Sequence, residues 1–141
     1  MVKKFRSSCI IASALDLIGD KWSILIIRDM LLDKKTTFKE MFASKEGIAS
    51  NLLSTRLKML ESLEIITKRK LPENKKENIY LLTEKGIDLT PLILEMVLWS
   101  DKYVRSYNPK MNSYENQNLN KSLVIESVQI EYRKLISQIL N

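Results

Sequence analysis

The chain has 141 residues, a formal net charge of +6, 45% hydrophobic residues and 28% charged ones, a soluble globular balance for one domain or one domain with an appendage. Three glycines and three prolines rule out collagen-like chains and glycine linkers, and they argue against an all-β fold rich in tight turns. The absence of histidine removes His-based triads, His-containing zinc sites and the usual acid–base catalyst, and the single cysteine excludes intrachain disulfides and Cys-clustered metals.

The opening MVKKFRSS is basic, but Asp16 and Asp20 interrupt the apolar run that follows, so no signal peptide is expected. No apolar stretch approaches the roughly 18 residues of a membrane span. A lone thiol suits the reducing cytoplasm, the expected location. Residues 9–18 read as a short helix with Ser8 as N-cap. Gly19 ends it. Asp20 caps a second helix, Trp22 to Leu32, whose apolar residues surround it and place it centrally. Thr37-Phe38-Lys39-Glu40 has the spacing of a capping box and opens a third helix through about Ala43.

A turn at 44–49 containing Gly47 leads to a fourth helix, from near Ser50 to about Ser62. Leu53, Leu57 and Leu60 recur at helical spacing, while the opposite face reads Asn51, Ser54, Thr55 and Lys58, with no acid until Glu61. Ile65 to Leu71 reads as a strand, Pro72 to Glu77 as a polar turn, and Asn78 to Leu82 as a second strand, making a hairpin with a basic tip. Thr83-Glu84-Lys85-Gly86 caps a long helix, 84–104, that Pro91 either kinks or restarts. Residues 106–121 form a polar linker. A final amphipathic helix, 122–140, places Val128, Tyr132, Leu135 and Ile139 on one side.

Charge follows this layout. Residues 1–80 hold 16 Lys and Arg against 10 Asp and Glu, net +6, whereas residues 81–141 hold 7 of each. A localised basic excess suits a polyanion, although a solvated lysine-rich surface gives the same count. The fold expected is mostly α with a small β-hairpin wing: a winged helix-turn-helix. A helix with a small polar face can enter a major groove about 12 Å wide, and a basic hairpin can follow the backbone or the minor groove. Three-helix arrangements with hairpins also mediate protein–protein contacts.

Three motifs then carry a resemblance. The stretch from Cys9 through Ala14-Leu15-Asp16-Leu17-Ile18-Gly19-Asp20-Lys21-Trp22, the run Leu53-Ser54-Thr55-Arg56-Leu57-Lys58-Met59-Leu60-Glu61, and Tyr80-Leu81-Leu82-Thr83-Glu84-Lys85-Gly86 are together similar to the HxlR-type winged helix-turn-helix transcriptional regulators. Two residues depart from the pattern: Ile10 where Pro usually follows the Cys, and Ile79 where Glu often precedes the Tyr. The resemblance implies a cytoplasmic, homodimeric bacterial regulator, with no cofactor, no metal and no membrane partner. The resemblance spans residues 9–104 and does not extend to the tail; with the element pattern, the expected organisation is a winged helix-turn-helix domain over 1–105 with flanking dimerisation helices, a linker at 106–121 and a C-terminal helix at 122–141.

The candidate contacts to double-stranded DNA are Lys21, Lys39, Ser50, Asn51, Ser54, Thr55, Arg56, Lys58, Lys75 and Lys76. Bland roles stand beside them: Ser50 as an N-cap, Arg56 paired with Glu61 or Asp29, the lysines merely solvated. Dimer contacts are expected from Ile10, Ile11, Leu92, Met96, Trp99 and Tyr103, with Trp22 and Trp99 as core or interface anchors. Cys9, near Lys3, Lys4 and Arg6 at a helix start, is a candidate sensor of an oxidant or small electrophile, or else a small packed hydrophobe. The dimer would read an inverted-repeat operator. The competing readings are a winged-helix protein–protein adaptor and an enzyme with Cys9 as nucleophile. The latter is disfavoured because nothing in the chain resembles an activating base or a phosphate loop.

Overall fold

A computed structural model describes residues 4–116 and 118–141. The chain divides into two compact units, Met1–Gly86 and Ile87–Asn141. The first holds helices α1 (Ile10–Ile18), α2 (Ser23–Leu31), α3 (Phe38–Phe42) and α4 (Ser50–Ser62), then strands β1 (Ile66–Leu71) and β2 (Asn74–Leu82). A short helix, α5 (Glu84–Ile87), closes it. The second holds α6 (Thr90–Tyr103) and α7 (Lys121–Leu140). This is the expected mostly helical protein with a two-stranded antiparallel hairpin. No helix among the described residues is long and apolar enough to cross a membrane.

The first unit is built around α2. Ile26, Ile27, Met30 and Leu31 are buried there, joined by Met41 of α3, by Leu53, Leu57 and Leu60 of α4, and by Ile65, Ile66, Leu81 and Leu82 of the hairpin. The capping box is present at α3: Thr37 Oγ1 accepts from Glu40 N at 3.2 Å, and Glu40 Oε1 accepts from Thr37 N at 3.2 Å. Gly47 has φ +73°, a left-handed conformation that side chains resist, and this turns the chain from α3 into α4.

A network of charges seals that turn. Asp29, only 3% exposed, meets the Arg28 guanidinium at 2.6 Å, Lys35 Nζ at 3.5 Å and the Ser44 hydroxyl. Arg28 also makes a two-pronged pair with Glu46, both contacts at 2.9 Å. One arginine on α2 therefore grips the loop that aims α4. The same pairing, led by the hydrogen bond to Glu46, drives the Arg28 pKa upward, and it pulls the Glu46 carboxyl down to about 2.

The hairpin departs from expectation. Leu71 pairs with Asn74, so the turn is only Pro72 and Glu73, and β2 begins four residues early. Lys75 and Lys76 thus rise along a strand rather than crown a loop. The polar run Asn74–Glu77 looks unlike a strand by composition, yet an exposed hairpin arm needs backbone pairing and no apolar side chains. Tyr80 N donates to Thr36 O at 2.7 Å, which ties the wing to the α2–α3 loop.

Two further expectations are corrected. Ser8 is not the cap of α1: Cys9 holds the cap position, and Ser7 Oγ accepts from Cys9 N at 3.2 Å. Ser50 is not the cap of α4 but its first residue; Ala49 takes the cap with no side-chain acceptor. Of the two alternatives at Pro91 the structure takes the restart, not the kink: α5 ends at Ile87 and α6 begins at Thr90 with Pro91 in its first turn, where its missing N–H costs nothing. In the second unit α6 packs against α7. Val124 and Tyr132 are the buried residues of α7, and Val128, Leu135 and Ile139 are half-buried. Asn120 caps α7, its Oδ1 accepting from Ser122 N at 2.8 Å.

Removing a partner from a buried charge cluster strands the others, so Asp29→Ala should cost about 3–5 kcal/mol in urea unfolding. A loss under 1 kcal/mol would show that the network is dispensable. Glu46 is 39% exposed, so solvent screens its pair, and Glu46→Gln should cost only about 0.5–1 kcal/mol at pH 7. Because folding lowers the Glu46 pKa from 4.5 to about 2, its contribution is complete above pH 4.5 and is lost as pH falls toward 2. Wild type and Glu46→Gln should therefore converge in stability across that window.

Candidate nucleic-acid interface

Helix α4 has two faces with different tasks. Leu53, Leu57 and Leu60 are buried, whereas Ser50, Asn51, Thr55 and Lys58 are exposed and Ser54 is half-buried. Thr55 Oγ1 donates back to Asn51 O at 2.8 Å, and Asn51 Oδ1 accepts from Leu52 N at 2.9 Å. With no side-chain cap at Ala49 and Leu52 N taken by Asn51, the Ser50 and Asn51 amides are the ones that can serve an external acceptor. A short polar face at the N-terminal end of a rigidly backed helix matches the donors and acceptors on a base-pair edge.

Of the flanking cations, Lys21 is exposed, its Nζ 5.0 Å from the Trp22 ring centre, and Lys39 is exposed on α3. Lys75 and Lys76 are exposed on β2. Sequence reasoning missed the other arm: Lys68, Arg69 and Lys70 on β1 are exposed as well. The signal was present as three consecutive cations, but the segment was read only for its strand pattern. The hairpin from Ile66 to Asn78 thus carries five cations against Glu73 and Glu77.

Arg56 behaves differently from the other candidates. It pairs with neither Glu61 nor Asp29; its Nε lies 3.1 Å from Asp20 Oδ2. Asp20 does not hold the cap position of α2, which is Trp22, but its carboxylate still gathers the amides there: it accepts from Trp22 N and Ser23 N, each at 3.0 Å, and from Ser23 Oγ at 2.5 Å. Burial pushes the Asp20 carboxyl upward, but these hydrogen bonds and the Arg56 charge outweigh it and hold the group below its ordinary value.

Cys9 is exposed at the start of α1. It is not a packed hydrophobe. Nor is Arg6 a loose charge beside it: its guanidinium meets Asp16 at 2.5 Å. Lys3 lies outside the described residues. On α1, Ile10 is 88% exposed and Ile11 is also exposed; on α6, Leu92, Met96, Trp99 and Tyr103 are exposed, with the Trp99 and Tyr103 rings 5.7 Å apart. Trp22 is half-buried. Among the described residues no group of three His, Cys, Asp or Glu side chains could hold a metal ion.

A helix-turn-helix with a basic hairpin directly after it defines a winged-helix transcriptional regulator. A family model for HxlR-like helix-turn-helix proteins matches residues 17–108, and the chain belongs to that family, one of regulators rather than enzymes. The HTH-type transcriptional regulator YodB of Bacillus subtilis (strain 168) is 41% identical over 91 residues, 64% of this chain and 80% of YodB. Its reduced form aligns with a TM-score of 0.57 at 37% identity, covering 69% of this chain and 95% of that one. PA1607, a candidate transcription factor, gives a TM-score of 0.67 at 34% identity and covers 77% of this chain and 73% of its own. The oxidised form of the redox regulator HypR gives 0.59 at 30% identity, over 65% of this chain and 94% of HypR. YodB has also been crystallised after diamide treatment and with quinone bound.

The Asp20 carboxylate accepts from Trp22 N and Ser23 N just ahead of α2, so Asp20→Ala should lower stability by about 1–2 kcal/mol. Asp20→Asn keeps an acceptor oxygen and should lose less. Equal losses in urea denaturation would contradict that role.

Proposed function

We propose that this regulator is a homodimer that reads an inverted-repeat operator, with α4 in the major groove and the hairpin on the backbone or in the minor groove. The observation that carries the reading is the exposed, acid-free N-terminal face of α4 beside a cationic hairpin. Ser50, Asn51, Ser54 and Thr55 contact base edges. Lys21, Lys39, Lys58, Lys75 and Lys76 contact phosphates, joined by Lys68, Arg69 and Lys70. To grip an adenine at two points, the Asn51 carboxamide releases Leu52 N. The exposed apolar residues of α1 and α6 form the dimer contacts, which supports two reading helices spaced for adjacent half-sites.

Cys9 supplies a switch. YodB is known with quinone bound and after diamide treatment, and HypR is a redox regulator. An exposed thiol at the start of α1 suits the same chemistry. With one cysteine per chain, oxidation gives an intersubunit disulfide, a mixed disulfide or a higher oxide. Modification there shifts α1 and alters the spacing of the reading helices.

Selection of bound fragments from random duplex DNA tests the activity and returns the half-site spacing. On the selected duplex, 6–10 phosphate contacts should cost about 10³–10⁵ in affinity between 50 and 200 mM salt. A shallow salt dependence would favour a protein–protein adaptor instead. Asn51→Ala should cost about 1–3 kcal/mol per half-site and relax one base position in each, while Lys75→Ala, which removes one phosphate contact from each protomer, should weaken all sequences alike and reduce the salt slope by about two. Cys9→Ser should abolish the response of DNA binding to diamide or quinone; an unchanged response would remove Cys9 from the mechanism.

A further inference from the structure

We propose that Arg56 is a positioning residue: through Asp20 it sets the angle at which α4 presents its outward face, and it does not itself contact DNA. The proposal rests on the reading that α4 enters a duplex. Arg56 lies inside the recognition-helix motif, which suggests a direct contact, but its environment is that of an anchor. Its side chain is 28% exposed, and its Nε is fully buried, without a hydrogen bond and 3.1 Å from Asp20 Oδ2. Its Nη1 lies 3.7 Å from Met59 Sδ, one helical turn along α4. An arginine that grips phosphate presents its whole planar fork to the ligand. Here the Nε edge is already buried beside a carboxylate.

That carboxylate is itself immobile. Three hydrogen bonds fix Asp20 to the first turn of α2, and it directly follows Gly19, the residue that ends α1. Arg56 therefore joins α4 to the junction of two other helices. The buried leucines attract α4 to the core, but apolar contact is non-directional and resists rotation about the helix axis only weakly. A charged pair on the flank of the helix, off its apolar stripe, supplies the missing direction. Arg56 shares that flank with Leu52 and Met59, at i−4 and i+3, both half-buried.

The test uses the full chain and a duplex selected by wild type. Arg56→Met, Asp20→Asn and the double variant are titrated against that duplex and a scrambled one over a salt series, with thermal unfolding recorded for each. Positioning predicts that each single variant loses about tenfold in specific affinity, with the slope of log K against log salt unchanged. The double variant should then be no weaker than the weaker single one. The sign of Asp20→Asn is decisive even if Arg56→Met fails to fold. Removing a negative charge tightens binding if only direct electrostatics operates, and weakens it if Asp20 holds Arg56 in place. A salt slope reduced by about two in Arg56→Met (one lost contact per protomer), additive losses, or tighter binding by Asp20→Asn would overturn the proposal while leaving the reading of α4 intact. A wild-type chain with no preference among duplexes would overturn both.

Discussion

Everything functional in this protein depends on α4 being held hard on one side and left bare on the other. Burial of Leu53, Leu57 and Leu60 supplies the holding. Each fully buried leucine contributes roughly 1.5–3 kcal/mol, enough to keep the helix seated but not to aim it. The face left outside carries short polar side chains and no acid, so nothing on it repels a polyanion.

Aiming falls to three acids, each placed where a loop changes direction. Asp29 sits beneath the turn before α4 and gathers Arg28, Lys35 and Ser44. Glu46 receives the other side of Arg28 from within that turn. Asp20 accepts from the amides that open α2 and faces Arg56. The first unit is basic overall, and three of its acids are spent internally at these joints. The unpaired positive charge is left for the surface and the hairpin arms. Charge is thus divided in two: paired charge fixes geometry, and the exposed cations are what the proposed reading assigns to the duplex.

Much of this was legible in the residues. Apolar periodicity located α2 and α4, and Thr37 with Glu40 announced the capping box that the structure contains. The winged-helix class followed from the order of elements, and three motifs carried the family. What was not legible depended on partners distant in sequence. Arg56 was weighed against Glu61 and Asp29, but the acid it meets is Asp20, 36 residues earlier. The early start of β2 was hidden because Asn74-Lys75-Lys76-Glu77 has the composition of a loop, and only its pairing with β1 makes it a strand. The basic arm Lys68-Arg69-Lys70 was visible in the letters, but its exposure follows from the hairpin standing away from the core.

The central claim is that the outward end of α4 touches base edges in the major groove. The most direct measurement replaces single purines of a selected duplex with 7-deaza analogues, which removes N7 from the major groove and leaves the minor groove untouched. The account predicts that binding falls at positions clustered in two patches about one helical turn apart. Binding that is indifferent to every such replacement, or sensitive only to minor-groove changes, would contradict it.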